Sequence, residues 1–154
     1  FDLILYQPEI PPNTGNIIRV CANTGTVLHL VHPLGFELDD RKLRRAGLDY
    51  HEYAAIHDYP SLDECIQSLG INRRIFALST RGNRNYTDVA YRAGDVLLFG
   101  PETRGLPVSV LETLPSEQCL RIPMRPDNRS LNLSNAAAVV LYEGWRQLGF
   151  AGGS

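Results

Sequence analysis

The sequence predicts an α/β fold built on a mainly parallel sheet. Short apolar runs that read as buried strands alternate along the chain with segments carrying helix start and stop signals. Two loops dense in Gly, Pro, Asn, Ser and Arg, at 99–107 and 122–135, each follow such a run and each lead into a helix. In an open α/β sheet, loops outside the carboxyl ends of strands are where ligands sit. At 154 residues the chain suits one domain, residues 1–154, with a real core and no separate RNA-binding or other domain.

The elements follow in order. Residues 2–6 read as a first buried strand, ended by the proline-rich stretch 7–12. Asn13 is expected to cap a helix reaching Asn23 and closed by Gly25. A second strand covers 27–31, and Pro33-Leu-Gly35 forms a turn. Residues 39–46 give a short basic helix with its acidic residues at the start, the favourable end of its dipole. Ser61-Leu-Asp-Glu64 is a capping box opening a helix that stops at Gly70. Strands are expected at 74–79 and 95–99, with a Gly- and Asn-rich loop between them. Pro107 starts a short helix through Leu114, and 119–122 is the last strand. The final helix, 133–148, carries a stripe of Ala137, Val140, Leu141, Gly144, Trp145 and Leu148, and the Gly-rich end beyond it is expected to be disordered.

Composition narrows the function classes. The chain is 44% hydrophobic and 21% charged with a net charge of −2, which argues against non-specific coating of nucleic acid. A local basic surface is still present at Arg41, Lys42, Arg44 and Arg45; a solvated helix face would look the same. No run is apolar enough to cross a membrane and no leader precedes the first strand, so a cytoplasmic protein is expected. The numbering starts at Phe1, so an initiator residue is expected before it. Cys21, Cys65 and Cys119 have no CxxC spacing and read as three reduced, buried thiols. His29, His32, His51 and His57 fit no metal-ligand spacing and read as surface or edge-strand residues, so no metal is expected.

Neither GxGxxG after a strand nor GxxxxGK[ST] occurs, which excludes the usual dinucleotide and P-loop sites. Gly100 and Gly105 suit close backbone approach to a planar ligand, with Leu78, Ile122 and Leu131 as apolar walls, although a glycine after a strand is often only a turn. Arg19 lies between Ile18 and Val20 on a largely apolar helix, where a long cation either snorkels outward or meets an anion such as phosphate.

Three stretches carry a resemblance. Asn13-x-x-Gly-Asn-x-x-Arg19, Phe99-Gly-Pro-Glu-x-x-Gly-Leu106 and Ile122-Pro-Met-x-x-x-x-x-Ser-Leu-Asn-x-Ser-Asn-Ala136 resemble, in order and across the chain, the motifs of the SPOUT RNA 2'-O-methyltransferases. The segment Leu43-Arg-Arg-Ala-Gly-Leu-Asp-Tyr-His-Glu52 is similar to the bacterial branch that methylates wobble nucleotide 34 of leucine tRNAs. The resemblance implies a trefoil knot in the C-terminal part of the sheet, one of the rare exceptions to unknotted topology. It implies S-adenosylmethionine held bent in that knot, with Leu78, Gly100, Gly105, Ile122, Ser130 and Leu131 at the cofactor. It also implies a homodimer with the last helix in the interface and the active site shared across it.

The chemistry then requires placing a ribose 2'-hydroxyl in line with an already activated methyl and managing its proton. Arg19 matches the family's general base. A guanidinium is effectively always protonated, so Arg19 is expected instead to stabilise the developing alkoxide or hold a phosphate. Glu102 is a rival proton acceptor or an orderer of its loop, and Asn13, Ser130 and Asn132 complete the catalytic set. Arg41, Lys42, Arg44 and Arg45, with Tyr142 and Arg146 on the last helix, are the expected tRNA contacts; for Tyr142 a core or interface place is equally compatible. Two alternatives stay open: an enzyme of the same superfamily acting on ribosomal RNA or another tRNA position, and a non-catalytic RNA-binding dimer of the same fold.

Overall fold

The computed structural model describes residues 1–53 and 55–154. Inside its seven-stranded sheet lies β1 (Asp2–Tyr6), whose neighbours are β2 (Val27–Val31) and the central strand β6 (Val96–Phe99). Beyond β2 lies β3 (His57–Tyr59); beyond β6 lie β4 (Ile75–Leu78), β7 (Cys119–Arg121) and β5 (Arg84–Asn85). The order is β3-β2-β1-β6-β4-β7-β5, and every pairing is parallel. Sequence reading anticipated the parallel α/β class but not β3 or the two-residue β5, which are too short to show a period.

The strands sort by parity, as a parallel sheet covered on both faces demands. Leu3, Leu5, Leu97 and Phe99 face one layer with α1 (Pro11–Thr24) and α6 (Leu133–Gln147), whereas Ile4, Val96 and Leu98 face the other. That second layer includes α4 (Leu62–Leu69), capped by Ser61 Oγ accepting from the Glu64 N–H, and α5 (Val108–Leu111). Between β2 and β3 run α2 (Asp40–Arg45), capped by Asp39, and the single turn α3 (Tyr50–Tyr53). Gly144 on α6 leaves room for the Phe1 ring, which an added Cβ would meet at 2.8 Å.

Several expectations are corrected. Asn13 does not cap α1: Ile10 does, and Pro11 and Pro12 occupy the first helical positions, where a fixed φ and a missing N–H are no handicap. His29 is not at the surface but buried, with Asp2 at 2.6 Å from Nε2 and the Tyr59 hydroxyl at 3.0 Å from Nδ1. Cys119 is only half-buried, unlike Cys21 and Cys65. The C-terminal residues fold back on α6: Trp145 Nε1 donates to the Ala151 carbonyl at 3.0 Å, and the Phe150 ring meets Trp145 edge-on. Among the described residues no helix is long and apolar enough to cross a membrane.

Candidate functional site

β4, β6 and β7 end side by side, and the loops that leave them enclose a cavity of about 260 Å³. Leu78, Gly100, Gly105, Ile122, Ser130 and Leu131 all line it. The resemblance placed the loop after Leu78 at the cofactor without naming its residues, and Ser79, Thr80 and Arg81 of this β4 loop do form a further wall. Gly82, next in that loop, crosses β7 so closely that a Cβ would lie 2.2 Å from the Leu120 carbonyl oxygen.

The glycines of the β6 loop serve the loop itself. A Cβ on Gly100 would lie 2.4 Å from the Leu106 backbone nitrogen, so Gly100 is required by the return of its own chain rather than by approach of a ligand. Gly105 has φ +66°, the left-handed conformation that closes this return, and its N–H donates to the Pro101 carbonyl at 2.9 Å.

Glu102 is spent on the β1–α1 loop. Its Oε1 accepts from the Glu9 N–H at 2.8 Å, and its Oε2 accepts from the Ile10 N–H at 2.6 Å and from Asn13 Nδ2 at 3.2 Å. Glu9 returns the bond: its Oε1 accepts from the Thr103 N–H at 2.9 Å and the Thr103 hydroxyl at 2.7 Å. Burial slightly opposes these bonds, yet they hold the Glu9 carboxyl below the usual carboxylate range. With three donors on its oxygens, Glu102 has the geometry of a loop clamp rather than of an open proton acceptor.

Asn13, released from capping, bridges two loops. It is 6% exposed, and its Oδ1 accepts from Asn132 Nδ2 at 2.9 Å while its own amide donates to Glu102. Asn132 is the cap of α6: its Oδ1 accepts from the N–H groups of Ser134 and Asn135 and from the Ser134 hydroxyl at 2.6 Å. Both asparagines are therefore held in structural bonds beside the cavity. Ser130 is exposed on the cavity wall and makes no hydrogen bond among the described residues, so its hydroxyl is available.

Arg19 does not line the cavity. Six residues beyond Asn13, it lies about 9 Å further along α1. Its Nε donates to Glu52 Oε2 at 3.0 Å and its Nη2 donates to the Gly47 carbonyl. Arg41, Lys42, Arg44 and Arg45 are all exposed on α2. Tyr142 is exposed and packs edge-on to Trp145, while Arg146 is paired with Glu143 at 2.8 Å. Arg146 and Tyr142 thus share a helix but do not form a common site with the cavity.

Two other chemistries lose support. Burial pushes the Cys21 and Cys65 thiols up to about 12, so neither is a thiolate near neutral pH. Asp49, His51 and Glu52 bring ligand atoms within 4.8 Å of one another, but Glu52 is already engaged by Arg19. Sequence reading also missed Glu9 and Glu52. Glu52 stood in a segment already singled out, whereas nothing local distinguishes Glu9 from any residue of a proline-rich loop.

Residues 1–142 match the SpoU rRNA Methylase family. Over 152 residues, 99% of this chain and 98% of the relative, the sequence is 60% identical to a protein of Methylovorus glucosotrophus named tRNA (cytidine(34)-2'-O)-methyltransferase. A solved structure described as giving insights into the 2-OH methylation of C/U34 on tRNA superposes with a TM-score of 0.88 at 47% identity, covering 97% of this chain and 96% of the other. An AdoMet-bound rRNA methyltransferase from Sinorhizobium meliloti superposes with a TM-score of 0.82 at 26% identity, covering 96% of this chain and 56% of the other.

Proposed function

The chain belongs to the SpoU rRNA methylase family, and we propose that it transfers a methyl group from S-adenosylmethionine to the ribose 2'-hydroxyl of wobble nucleotide 34 of tRNA, with leucine tRNAs as the substrates. The observation that carries this reading is the convergence of three loops on one cavity in a chain alike, from end to end, to wobble methyltransferases.

The cavity suits the cofactor. Its size is near the lower end of small-ligand pockets, roughly 300–1,000 Å³, which fits a compact, bent molecule. Leu78, Ile122 and Leu131 offer apolar surface to an adenine, while Ser79, Thr80 and Ser130 offer hydroxyls to the ribose and amino-acid portions. Gly100 and Gly105 keep the β6 loop thin on that side. S-adenosylmethionine supplies an activated methyl on a sulfonium, so the protein's work is placement and charge. Glu102, Asn13 and Asn132 brace the loops around it. Arg19 meets the anionic oxygen of the substrate, either the developing alkoxide or the adjoining phosphate, and the proton leaves to phosphate or water.

Because Arg19 lies away from the cavity of its own chain, it serves the site of a second copy. The protein is then a homodimer with α6 in the interface, which gives the exposed Val139 and Tyr142 a partner. The close crossing of Gly82 over β7 supports a trefoil knot in this region. The single domain, 1–154, reads the anticodon loop with its own surface, through Arg41, Lys42, Arg44 and Arg45 on α2, with Tyr142 and Arg146 at the dimer edge. A cytoplasmic location goes with a tRNA substrate.

The deciding experiment incubates the protein with labelled S-adenosylmethionine and total tRNA from a strain lacking this activity, then maps the modified nucleotide. Label at the 2'-oxygen of nucleotide 34 is expected. Label at another tRNA position would overturn the assignment, as would cofactor binding without transfer to tRNA, or label in ribosomal RNA when total RNA replaces total tRNA.

A further inference from the structure

The segment between β2 and β3 is fastened to α1 through Arg19. Nε of Arg19 donates to Glu52 Oε2 at 3.0 Å, Nη2 reaches Glu52 Oε1 at 3.4 Å, and Nη2 also donates to the Gly47 carbonyl. The two partners are not equivalent. The Glu52 side chain is 9% exposed and the Arg19 side chain 51%. Glu52 is itself fixed, because its Oε1 accepts from the Asp49 N–H at 2.9 Å while its own N–H donates to the Asp49 carbonyl at 2.9 Å. The carboxylate is a built socket and the guanidinium is what it holds.

A guanidinium has five N–H donors in one plane. Nε and Nη2 are committed to Glu52 and Gly47, whereas Nη1 has no partner among the described residues. We propose that Glu52 is a positioning residue for methyl transfer: it fixes the plane of the Arg19 guanidinium and leaves the Nη1 edge, already oriented, for an anionic oxygen of the RNA. This inference rests on the reading that Arg19 serves the ribose site. A free arginine side chain has many rotamers to lose on being fixed. Glu52 removes that freedom before substrate arrives, so its benefit appears at the reacting centre.

The electrostatic consequence separates this role from a structural one. Glu52 cancels the charge of Arg19, so removing its negative charge leaves RNA affinity unchanged or higher, since polyanion binding strengthens with net positive charge. A mere brace for the α2 segment would behave oppositely, because loosening it would disperse Arg41–Arg45 and weaken RNA binding.

The test is steady-state methylation of an anticodon stem-loop RNA by Glu52→Gln, which can still accept from the Asp49 N–H. Expected are a fall in kcat of roughly ten- to a hundredfold, the scale of a misplaced group, a KM for RNA that is unchanged or lower, and unchanged cofactor affinity. In an Arg19→Ala background the same substitution should change kcat by less than about twofold, because residues acting through one another are not additive. Glu52→Asp is measured in the same way, so that a folding defect in one variant leaves the other to decide. A raised KM with unchanged kcat, or a full kcat effect in the Arg19→Ala background, would overturn the proposal. Wild-type protein that methylates no tRNA at nucleotide 34 would instead sink the functional reading beneath it.

Discussion

Glu9 and Glu102 hold each other's loops. The Glu102 carboxylate accepts from the Glu9 N–H at 2.8 Å, and the Glu9 carboxylate accepts from the N–H and hydroxyl of Thr103, the residue after Glu102. The two loops are 93 residues apart in sequence, and the exchange closes one rim of the cavity. Gly35 supports it from behind, since its N–H donates to the Pro8 carbonyl at 2.9 Å and a Cβ there would meet the Glu9 carbonyl oxygen at 2.6 Å.

Replacing Glu102 by Gln should therefore act on the donor pocket before it acts on proton transfer. One carboxylate oxygen becomes an NH2 that faces backbone donors, and the β6 loop loses its anchor. Charge-assisted bonds of this kind contribute about 1.5–3 kcal/mol, so S-adenosylmethionine affinity is expected to fall roughly tenfold or more by calorimetry. A general base would give the opposite pattern, with normal cofactor binding and a collapsed kcat.

Asn132 separates stability from function. Asn132→Ala removes the α6 cap and should destabilise the fold by about 1 kcal/mol. Asn132→Asp keeps a capping oxygen at a favourable helix N-terminus but loses the donor to Asn13 Oδ1. Thermal unfolding should show a lower Tm for the alanine variant only, while methyl transfer falls in both. Full activity in Asn132→Asp would show that the Asn13–Asn132 bond is dispensable.

Gly82→Ala should prevent normal folding. The added Cβ meets the Leu120 carbonyl oxygen at 2.2 Å, and both partners are backbone, so neither can rotate away. Insoluble expression, or a large drop in urea midpoint, is the expected outcome. Ordinary stability would mean that the β4 loop does not cross β7 this closely.

Asp2 sets an acid limit. Burial raises its pKa, but hydrogen bonds from His29 and Arg73 and the Arg73 charge outweigh this and hold the carboxyl below its usual range. A lowered folded-state value means that Asp2 stabilises the fold above its unfolded pKa, near roughly 3.9, and that this contribution is lost as pH falls through the folded value. Urea midpoints should change little from this source between pH 7 and 5 and drop below about pH 4, with a shallower drop in Asp2→Asn. Equal slopes in the two proteins would remove Asp2 from the account.

The cysteines give a simple accessibility check. Cys21 and Cys65 are 3% and 0% exposed, with thiols raised to about 12, whereas Cys119 is half-buried. Iodoacetamide at neutral pH should label Cys119 first, with the other two reacting only after denaturation, as read by peptide mass mapping.

What the sequence alone determined was local or periodic. Apolar runs such as those at β1, β4 and β6 and the Ser61 cap declare themselves within a few residues, because capping and burial act over a turn or a strand, whereas the capping roles of Asp39 and Asn132 emerged only in the structure. The motifs likewise named the loops that meet at the cavity. Tertiary structure decided the rest. Whether Asn13 caps a helix or bridges Glu102 and Asn132, whether Glu102 is free or clamped, and whether Arg19 points at a ligand or into the Glu52 socket depend on partners 33 to 119 residues away. Local sequence lists the donors and acceptors, but only the packed sheet brings their loops within hydrogen-bond distance, and that distance settles which of them remain available for chemistry.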